Sequence, residues 1–359
     1  MWRFKRRARR EQGDRTAVVE RPVVERPTEA RDEFPGTTEE LFEEIERLTD
    51  ANRASPDRER ERRLLWLRHL AAIRLLVADG HQPEHPSPDF DRLPKGDPLP
   101  ELSPAEVTPE VLRAGILRDG CLLVRGLIDR ADALGFGAQI DRAFAEREKL
   151  AGGTPPAEGY YEEFRPKPPF EVAEGARMWV KEGGGVLAID SPMLTFEMLE
   201  LFASADLPRL VTDYLGERPL LSMQKTTLRK AEPHVGGAWH QDGAFMGDVR
   251  ALNLWVALSR CGDESPGLDI VPRRLDYIVA TTTDDAVLSY QVSQKKAEEA
   301  AGDRSIIRPI FEPGDALFFD ELFLHQTGSD PSMPKPRFAI ESWFFGGSAF
   351  PGEYAPVAV

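Results

Sequence analysis

Residues 238–245 read AWHQDGAF, which places His240 and Asp242 two positions apart inside an apolar, aromatic stretch. The segment 237–243 is predicted to be a β-strand, and side chains at positions i and i+2 of a strand point to the same face. His240 and Asp242 would therefore project together into the space that the sheet encloses. An imidazole and a carboxylate on one face, joined by a histidine from another strand, form the two-histidine, one-carboxylate triad that binds Fe(II) and leaves coordination positions open.

The second histidine of such a triad must come from elsewhere in the chain. The chain has six histidines, namely His69, His81, His85, His234, His240 and His325. The first three precede the predicted catalytic region, and His234 stands just before a pair of glycines, which would hold it loosely. His325 lies near the end of EPGDALFFDELFLHQTG (312–328), where Pro313 and Gly314 predict a turn and DALFFD predicts a strand. His325 is therefore the predicted third ligand.

Around these segments, the second half of the chain is predicted to form short strands separated by turns. They are predicted at 219–229, 237–243, 250–258, 267–272, 306–311, 315–320 and 337–345. Helices are predicted at 108–120, at 129–147 and, with an internal turn, at 191–216, and a buried strand at 121–128. Residues 150–190, rich in Gly, Pro and Tyr, are predicted to be loops. The pattern favours an α+β, mainly β fold in which an antiparallel sandwich or barrel is flanked by helices.

The first hundred residues follow a different pattern. Thr37 and Glu40 have capping-box spacing, and Ser55 with Pro56 opens a second apolar helix, so a helical hairpin is predicted. The hairpin is expected to pack on the main domain, on a second copy of the chain or on a partner. Residues 81–104 contain seven prolines, which predicts a linker. The predicted divisions are an arm (1–36), a hairpin (37–80), a linker (81–104), a catalytic domain (105–350) and a tail (351–359).

Composition and charge narrow the class of protein. The chain is 41% hydrophobic and 30% charged, which is typical of a globular protein, and its longest apolar run, 64–77, is shorter than the roughly 20 residues of a membrane span. Cys121 and Cys261 are predicted to be free thiols in a reducing cytoplasm. Residues 1–16 carry seven Lys or Arg against two Asp or Glu and precede no apolar segment, which predicts a disordered basic arm rather than a secretory signal. The arm is expected to be solvated or, alternatively, to touch a membrane surface, nucleic acid or the acidic body of the chain. The net charge of −15 argues against nucleic-acid binding.

Four segments together carry a family resemblance: WHQDGAF (239–245), LNLWVAL (252–258), EPGDALFFDELFLHQTG (312–328) and RFAIESWFF (337–345). Residues 105–350 resemble the phytanoyl-CoA dioxygenase (PhyH) family of Fe(II)- and 2-oxoglutarate-dependent oxygenases. The resemblance implies a double-stranded β-helix, a jelly-roll, cupin-like barrel, with His240, Asp242 and His325 as iron ligands. It also implies Fe(II), 2-oxoglutarate and O2 as cofactor and cosubstrates. The residues around GLDIVP (267–272) depart from the family pattern, and 273–304 is predicted to be a lid or rim element.

The resemblance also implies how the keto acid is held. Arg337, on the strand after His325, would grip the distal carboxylate of 2-oxoglutarate through its planar guanidinium. Thr327 would add a hydroxyl to that carboxylate, and Trp255 would pack beside the cosubstrate. One face of the strand LSMQKTTLRK (221–230) would line the same site. The residues placed on that face are Met223, Lys225 and Thr227.

The reaction that the resemblance implies is hydroxylation of a small-molecule or natural-product substrate, with release of succinate and CO2. The presence of Asp242 favours hydroxylation, since related halogenases have a small residue at that position. A basic cluster in the stretch 150–190 would hold an anionic group of the substrate or, alternatively, consist of solvated loop charges. Its residues, with two neighbouring tyrosines, are Tyr160, Tyr161, Arg165, Lys167, Arg177 and Lys181.

Two other classes of protein stay open. One is a cupin-like enzyme with a different metal, which would have no need of Arg337. The other is a non-catalytic binding protein that uses the hairpin as its interaction surface. Each residue also has a simpler interpretation: a His-x-Asp in a solvated turn, Trp255 and Met223 in the core, and Arg337 on the surface.

Overall fold

Nine helices and ten strands are formed by the residues that the computed structural model describes, which are 34–76, 83–96, 98–234, 236–247, 249–284, 286 and 288–359. The helices are α1 Thr38–Ala54, α2 Arg58–Leu75, α3 Pro109–Asp119, α4 Arg130–Ala151, α5 Glu174–Glu182, α6 Pro192–Ser204, α7 Leu207–Leu215, α8 Gly243–Met246 and α9 Gln294–Ala301. The strands are β1 Glu101–Leu102, β2 Cys121–Val124, β3 Gly185–Leu187, β4 Pro219–Ala231, β5 Ala251–Ala257, β6 Gly267–Ile270, β7 Ala316–Phe319, β8 His325–Gly328, β9 Arg337–Gly346 and β10 Pro356–Ala358. Most of the predicted basic arm, residues 1–33, lies outside the described residues.

The described strands form two sheets. Eight belong to one sheet with the order β1-β2-β7-β5-β9-β4-β10, in which β3 also pairs with β4 and every pair except β1 with β2 is antiparallel. The strands β6 and β8 form the second sheet, which isolated bridges extend to His240 and Ile307. The mixed α/β architecture with a large antiparallel sheet is confirmed. The sheet is not closed in the described part of the chain, so the double-stranded β-helix stays a prediction.

Strand alternation gives the large sheet two different faces. On β5, Leu252, Leu254 and Val256 join a core with helices α3, α4, α6 and α7. The alternate residue Trp255 faces a second cluster that includes Leu268 of the two-stranded sheet. One face of the large sheet is therefore covered by helices, and the other, here called the inter-sheet face, looks onto β6 and β8.

Several predicted elements agree with the structure and two strands do not. The strands predicted at 219–229, 250–258, 267–272, 315–320 and 337–345 are found with small shifts at their ends, and the helices at 108–120, 129–147 and 191–216 are confirmed. The strand predicted at 237–243 is limited to bridges at Trp239 and His240, and that at 306–311 to bridges at Ile307 and Phe311. Each segment forms only isolated bridges, and local hydrophobicity does not reveal whether a partner strand runs alongside.

The stretch 150–190 is more ordered than the predicted loops, because it contains α5 and β3. Arg177 on α5 donates to both carboxylate oxygens of Asp190, at 2.7 and 2.8 Å, and to the backbone carbonyls of Phe164 and Val172. Lys181 forms an ion pair with Glu148 at 3.3 Å. Two cations of the predicted anion-binding cluster, Arg177 and Lys181, are therefore paired with carboxylates of the protein itself. The two tyrosines of that set, Tyr160 and Tyr161, are buried.

The predicted helical hairpin is formed by α1 and α2 and belongs to one compact unit with the rest of residues 34–359. The capping box of Thr37 and Glu40 is present, whereas α2 begins after Asp57, whose side chain accepts the Arg60 N–H at 2.8 Å, and not after Ser55. Leucines and alanines of α2 pack against Leu220 of β4 and Ala358 of β10. The sheet also extends into the predicted linker through β1 and into the predicted tail through β10. None of the described helices is long and apolar enough to cross a membrane.

Side chains of α2 cover the outer carbonyls of the edge strand β10. The ring of His69 is buried, and its Nδ1 lies 2.7 Å from the carbonyl oxygen of Pro356, while its Nε2 accepts the Lys167 N–H at 3.0 Å. Because a carbonyl only accepts, Nδ1 carries the proton and the ring is neutral. Arg68 donates to the Ala358 carbonyl at 3.3 Å. The hairpin therefore closes one edge of the large sheet.

Burial of His69 predicts a pH-dependent stability. Burial lowers the pKa of His69 to about 4 from its ordinary value of 6.5, against the favourable effect of the Pro356 carbonyl. The unfolded chain takes up the proton first, so the free energy of unfolding falls as the pH decreases from 6.5 toward 4. In urea unfolding at pH 7 and pH 5, His69→Gln should lose about 1–2 kcal/mol less than the wild type. An identical loss in both proteins would show that His69 does not titrate in this way.

Candidate metal centre

The three predicted ligands lie together at the junction of the two sheets. One nitrogen or oxygen each of His240, Asp242 and His325 lies within 4.8 Å of the others. The backbone explains how the histidines meet: the His240 N–H donates to the His325 carbonyl at 3.0 Å, and the His325 N–H donates back at 3.1 Å. This bridge brings the two imidazole centroids to 4.4 Å.

Asp242 reaches the histidines by a turn and not by strand alternation. Its backbone has φ −62° and ψ −28°, and it precedes the short helix α8. The Gly243 N–H donates to the Glu321 carbonyl at 2.8 Å, which ties this turn to the segment leading into His325. The side chain of Gln241 braces the same turn by donating to the carbonyls of Tyr277 and Leu322, at 3.0 and 2.6 Å. The grouping predicted from the sequence is present, although the predicted strand is not its cause.

Backbone carbonyls fix the tautomers of both histidines. The Nδ1 of His240 lies 2.8 Å from the Ala238 carbonyl oxygen, and that of His325 lies 3.1 Å from the Phe323 carbonyl oxygen. Since a carbonyl only accepts, each Nδ1 is protonated and each Nε2 has a free lone pair. Burial and the neighbouring His240 lower the pKa of His325 to about 4, so its ring is neutral near pH 7. Two imidazoles and one carboxylate fit Fe(II) as a donor set.

Aromatic residues surround His325 on the protein side. The ring of Phe319 lies 4.9 Å from the imidazole, and Phe323 stacks on it at 5.6 Å with an interplanar angle of 16°. Both phenylalanines are buried. They fix the orientation of His325 and exclude water from that side of the triad.

Arg337 is a buried cation without a counter-ion. It is 3% exposed, and it donates one hydrogen bond, from Nη1 to the Gly267 carbonyl at 2.8 Å. Its Nε has no hydrogen-bond partner, and among the described residues no carboxylate lies within ion-pair distance. Burial lowers the pKa of Arg337 to about 10, which keeps it charged at neutral pH. An uncompensated buried guanidinium is costly, so the position fits an anionic ligand.

Trp255 lies near Arg337, and Thr327 lies on the two-stranded sheet whose Gly267 accepts from Arg337. Thr327 pairs with Leu268, the residue after the Gly267 that accepts from Arg337. Its neighbour Gln326 points to the opposite face, where it donates to Asp269 at 3.1 Å, so Thr327 and His325 share the inner face of β8. The Arg337 guanidinium carbon lies 5.5 Å from the centroid of the Trp255 ring.

The predicted face of β4 is only partly correct. Thr227 contacts Glu341 at 3.4 Å, and the Lys225 ammonium lies 3.9 Å from the centroid of the Phe245 ring. Met223 instead packs in the core under the helices. The cause is an irregularity between Leu221 and Thr226 in the pairing of β4 with β9, which changes the face to which alternate residues point. Met223 therefore does not line the site.

Sequence reasoning missed an ion pair on the inter-sheet face. Glu341 lies opposite Thr227 and Trp255 in the sheet register and binds Arg229 at 2.9 Å. Burial alone would raise the pKa of Glu341, but the charges of Arg229, foremost, and Lys225 outweigh it and lower the pKa to about 2. Glu341 follows Arg337 by four residues on one strand, so period-two counting from Arg337 would have found it.

Aromatic rings line the side of the triad nearest to solvent. Tyr290, from the predicted rim segment 273–304, lies 6.1 Å from the His240 ring and edge-on to both Trp179 and Phe245, at 5.9 and 5.6 Å. Trp179 is 54% exposed and Phe245 36% exposed. We call these three residues the aromatic rim. They present apolar surface beside the metal ligands.

Comparison with known proteins identifies a family whose model covers the range that contains the triad. The family model described as "Phytanoyl-CoA dioxygenase (PhyH)" matches residues 117–337, a range that includes His240, Asp242 and His325 and ends at Arg337. No curated protein matches the chain in sequence.

Three solved structures that are similar to part of this chain bind iron, a keto acid or both. EctD from S. alaskensis with 2-oxoglutarate and 5-hydroxyectoine is 17% identical over 67% of this chain and 77% of its own, with a TM-score of 0.46. EctD from S. alaskensis with bound Fe is 19% identical over 70% and 88%, with a TM-score of 0.47. The epimerase SnoN in complex with Fe3+, alpha ketoglutarate and nogalamycin RO is 19% identical over 66% and 83%, with a TM-score of 0.40.

Proposed function

The chain belongs to the phytanoyl-CoA dioxygenase family, and we propose that it is an Fe(II)- and 2-oxoglutarate-dependent dioxygenase that hydroxylates a small molecule. The observation that carries the proposal is the pairing of two features at one junction. A two-histidine, one-carboxylate donor set lies on one side of it, and the uncompensated buried Arg337 lies on the other. A metal enzyme without an acidic cosubstrate has no need of the second feature.

His240, Asp242 and His325 would hold the metal through their free Nε2 atoms and a carboxylate oxygen. The carbonyls of Ala238 and Phe323 keep both imidazoles in the ligating tautomer without reorganisation. When bound, Fe(II) with 2-oxoglutarate and O2 supplies the oxidation of a C–H bond, with release of succinate and CO2.

The charges on the inter-sheet face suit a dianionic keto acid. Lys225, Arg229 and Arg337 are three cations against the carboxylates of Asp242 and Glu341, and Glu341 is already paired with Arg229. Arg337 would bind the distal carboxylate with its free Nε–H and remaining Nη–H groups, and Thr327 would donate its hydroxyl to it. Trp255 packs against the guanidinium and limits its movement. The protein thus orients the cosubstrate along the inter-sheet face toward the triad.

The aromatic rim and Lys225 are the parts of the site left for the substrate. Tyr290 lies next to His240, the exposed rings of Trp179 and Phe245 lie against Tyr290, and Lys225 lies over the Phe245 ring. A small molecule with an apolar or ring-shaped body and an acidic group matches both features. The pKa of Lys225 is lowered by burial, which is offset in part by Asp242 and Glu341.

The proposal is tested by anaerobic titration of the metal-free protein with Fe(II) and then with 2-oxoglutarate. Chelation of the iron by the keto acid should give a weak visible charge-transfer band that saturates at one equivalent of protein sites. Succinate lacks the keto group and serves as the control that should give no band. Iron binding without a band would contradict use of 2-oxoglutarate and favour a cupin-like enzyme with other chemistry.

A further inference from the structure

A cavity bounded by α3, α7 and the start of β5 is lined by cations that the proposed reaction does not use. Its volume is about 220 Å³, and we call it the arginine cavity. Its lining residues are His85, Arg113, Tyr214, Val249, Arg250, Ala251, Arg274, Asp320 and Glu321. At about 30 Å³ per water molecule, the space would hold on the order of seven waters. It is large enough for a phosphate or sulfate group and small for an organic ligand of drug size.

Two of the three arginines in this cavity have no acidic partner. Arg250 is 5% exposed and donates to the carbonyls of Leu215, at 2.6 and 2.9 Å, and Glu84, at 3.1 Å. Arg113 makes one long hydrogen bond, 3.4 Å to the Tyr214 hydroxyl. Within the described part of the chain, no carboxylate lies within ion-pair distance of either guanidinium. Their charges are therefore not neutralised by the protein.

The acidic side chains in the cavity do not reverse this balance. Asp320 is buried and forms an ion pair with Arg274, so these two charges cancel, and it also accepts the Leu322 N–H at 3.1 Å. Glu321 also lines the cavity, which leaves one carboxylate against Arg113 and Arg250. The cavity retains a positive charge overall.

His85 adds a polar atom to the same space. Its Nδ1 is buried and has no hydrogen-bond partner among the described residues, and its ring lies 5.3 Å from the Tyr214 ring. Burial, followed by the charges of Arg250 and Arg113, lowers the pKa of His85 to about 4. The ring is thus neutral at pH 7 and carries a single N–H, which can be donated either to the Tyr214 backbone, whose hydrogen bond partly offsets the lowering of the pKa, or to an anion.

We propose that the arginine cavity binds a small oxyanion, either inorganic phosphate or the phosphate group of a metabolite, through Arg113, Arg250 and His85. Arginine is suited to this ligand because its planar fork donates two parallel hydrogen bonds to phosphate oxygens. The site is separate from Arg337, which lies at the other end of the large sheet's inter-sheet face: Arg337 pairs with Ala231 of β4, whereas Ala251 pairs with Phe345 at the far end of β9. The proposal therefore does not depend on the proposed oxygenase reaction.

The test is isothermal titration calorimetry of the full chain, without added metal and at constant ionic strength set with NaCl. Inorganic phosphate is one ligand and glycerol 3-phosphate the other, so that the two sources of phosphate are distinguished. Saturable one-site binding of either ligand is expected, and Arg113→Gln should weaken it roughly 10- to 150-fold, as for loss of a hydrogen bond to a charged group. Arg209→Gln is the matched control, since Arg209 is exposed on α7 and pairs with Asp206.

A folded Arg113→Gln protein that binds phosphate like the wild type would overturn the proposal, and so would absence of saturable binding of both ligands to the wild type. Should Arg113→Gln not fold, His85→Ala removes a different polar group from the same cavity and should weaken binding in the same direction. Unchanged binding in folded His85→Ala would then count against the site. Arg250 is unsuited to the test because it also holds the end of α7.

Discussion

His240→Ala abolishes tight binding of Fe(II) and, with it, the formation of succinate from 2-oxoglutarate. Loss of a residue that merely supports a metal ligand costs about 10- to 100-fold in metal affinity, so loss of a direct ligand should cost at least about 100-fold. The remaining Asp242 and His325 offer only two donors. Metal affinity is measured by anaerobic equilibrium dialysis with Fe(II), independently of turnover.

The matched control for this substitution is His234→Ala. His234 lies six positions earlier in the same segment and is exposed, so its removal changes the chain by the same atoms without touching the triad. Affinity for Fe(II) and succinate formation should stay at the wild-type values. If folded His240→Ala bound Fe(II) as tightly as this control, the triad would not be the metal centre.

Arg337→Gln raises the KM for 2-oxoglutarate and leaves the affinity for Fe(II) unchanged. A charged hydrogen-bonding pair of this kind contributes about 2–3 kcal/mol, which corresponds to a roughly 30- to 150-fold higher KM. Glutamine keeps a polar amide but ends short of the Nη1 position, so the substitution removes the charge together with the hydrogen bond to the Gly267 carbonyl. The rise in KM is measured by succinate release at saturating Fe(II), with the visible charge-transfer band as a second readout.

Arg308→Gln is the control for this experiment. Arg308 is a partly exposed arginine near β6, where it pairs with Asp269 on the outer side of the two-stranded sheet. Like Arg337→Gln, this substitution removes one positive charge from the protein, but that charge does not lie on the inter-sheet face. An equal effect of both substitutions would indicate general electrostatics, and no effect of Arg337→Gln would support a metal enzyme that does not use 2-oxoglutarate.

The sequence was sufficient to group the triad because few residues can perform its chemistry. With six histidines in the chain and one His-x-Asp pair on an apolar segment, the choice of His325 followed from its strand context. The cause assigned to the grouping was incorrect for Asp242, since a turn closed by the Glu321 carbonyl is a tertiary feature that periodicity does not encode. Capping of α1 by Thr37 is local, and it was predicted correctly.

Features that depend on distant pairing could not be predicted. The face of Met223 depends on an irregularity in the pairing of β4 with β9, which lie more than a hundred residues apart in the chain. The regular structure within 150–190 includes the buried ion pair of Arg177 with Asp190. The burial of this pair is a tertiary feature that the composition of the segment does not reveal. The arginine cavity likewise joins Arg113, Arg250 and Arg274 from three separate elements.

The contacts of α2 with β10 have a consequence for how the protein behaves when it is shortened. The region matched by the family model begins at residue 117, and a chain shortened to start there but kept intact to residue 359 would lose α1 and α2. The carbonyls of Pro356 and Ala358, now covered by His69 and Arg68, would then form an open strand edge next to an apolar patch. Open edges of this kind pair with other chains and aggregate. By covering this strand edge, the hairpin therefore protects the protein from edge-to-edge aggregation, whatever further contacts it makes.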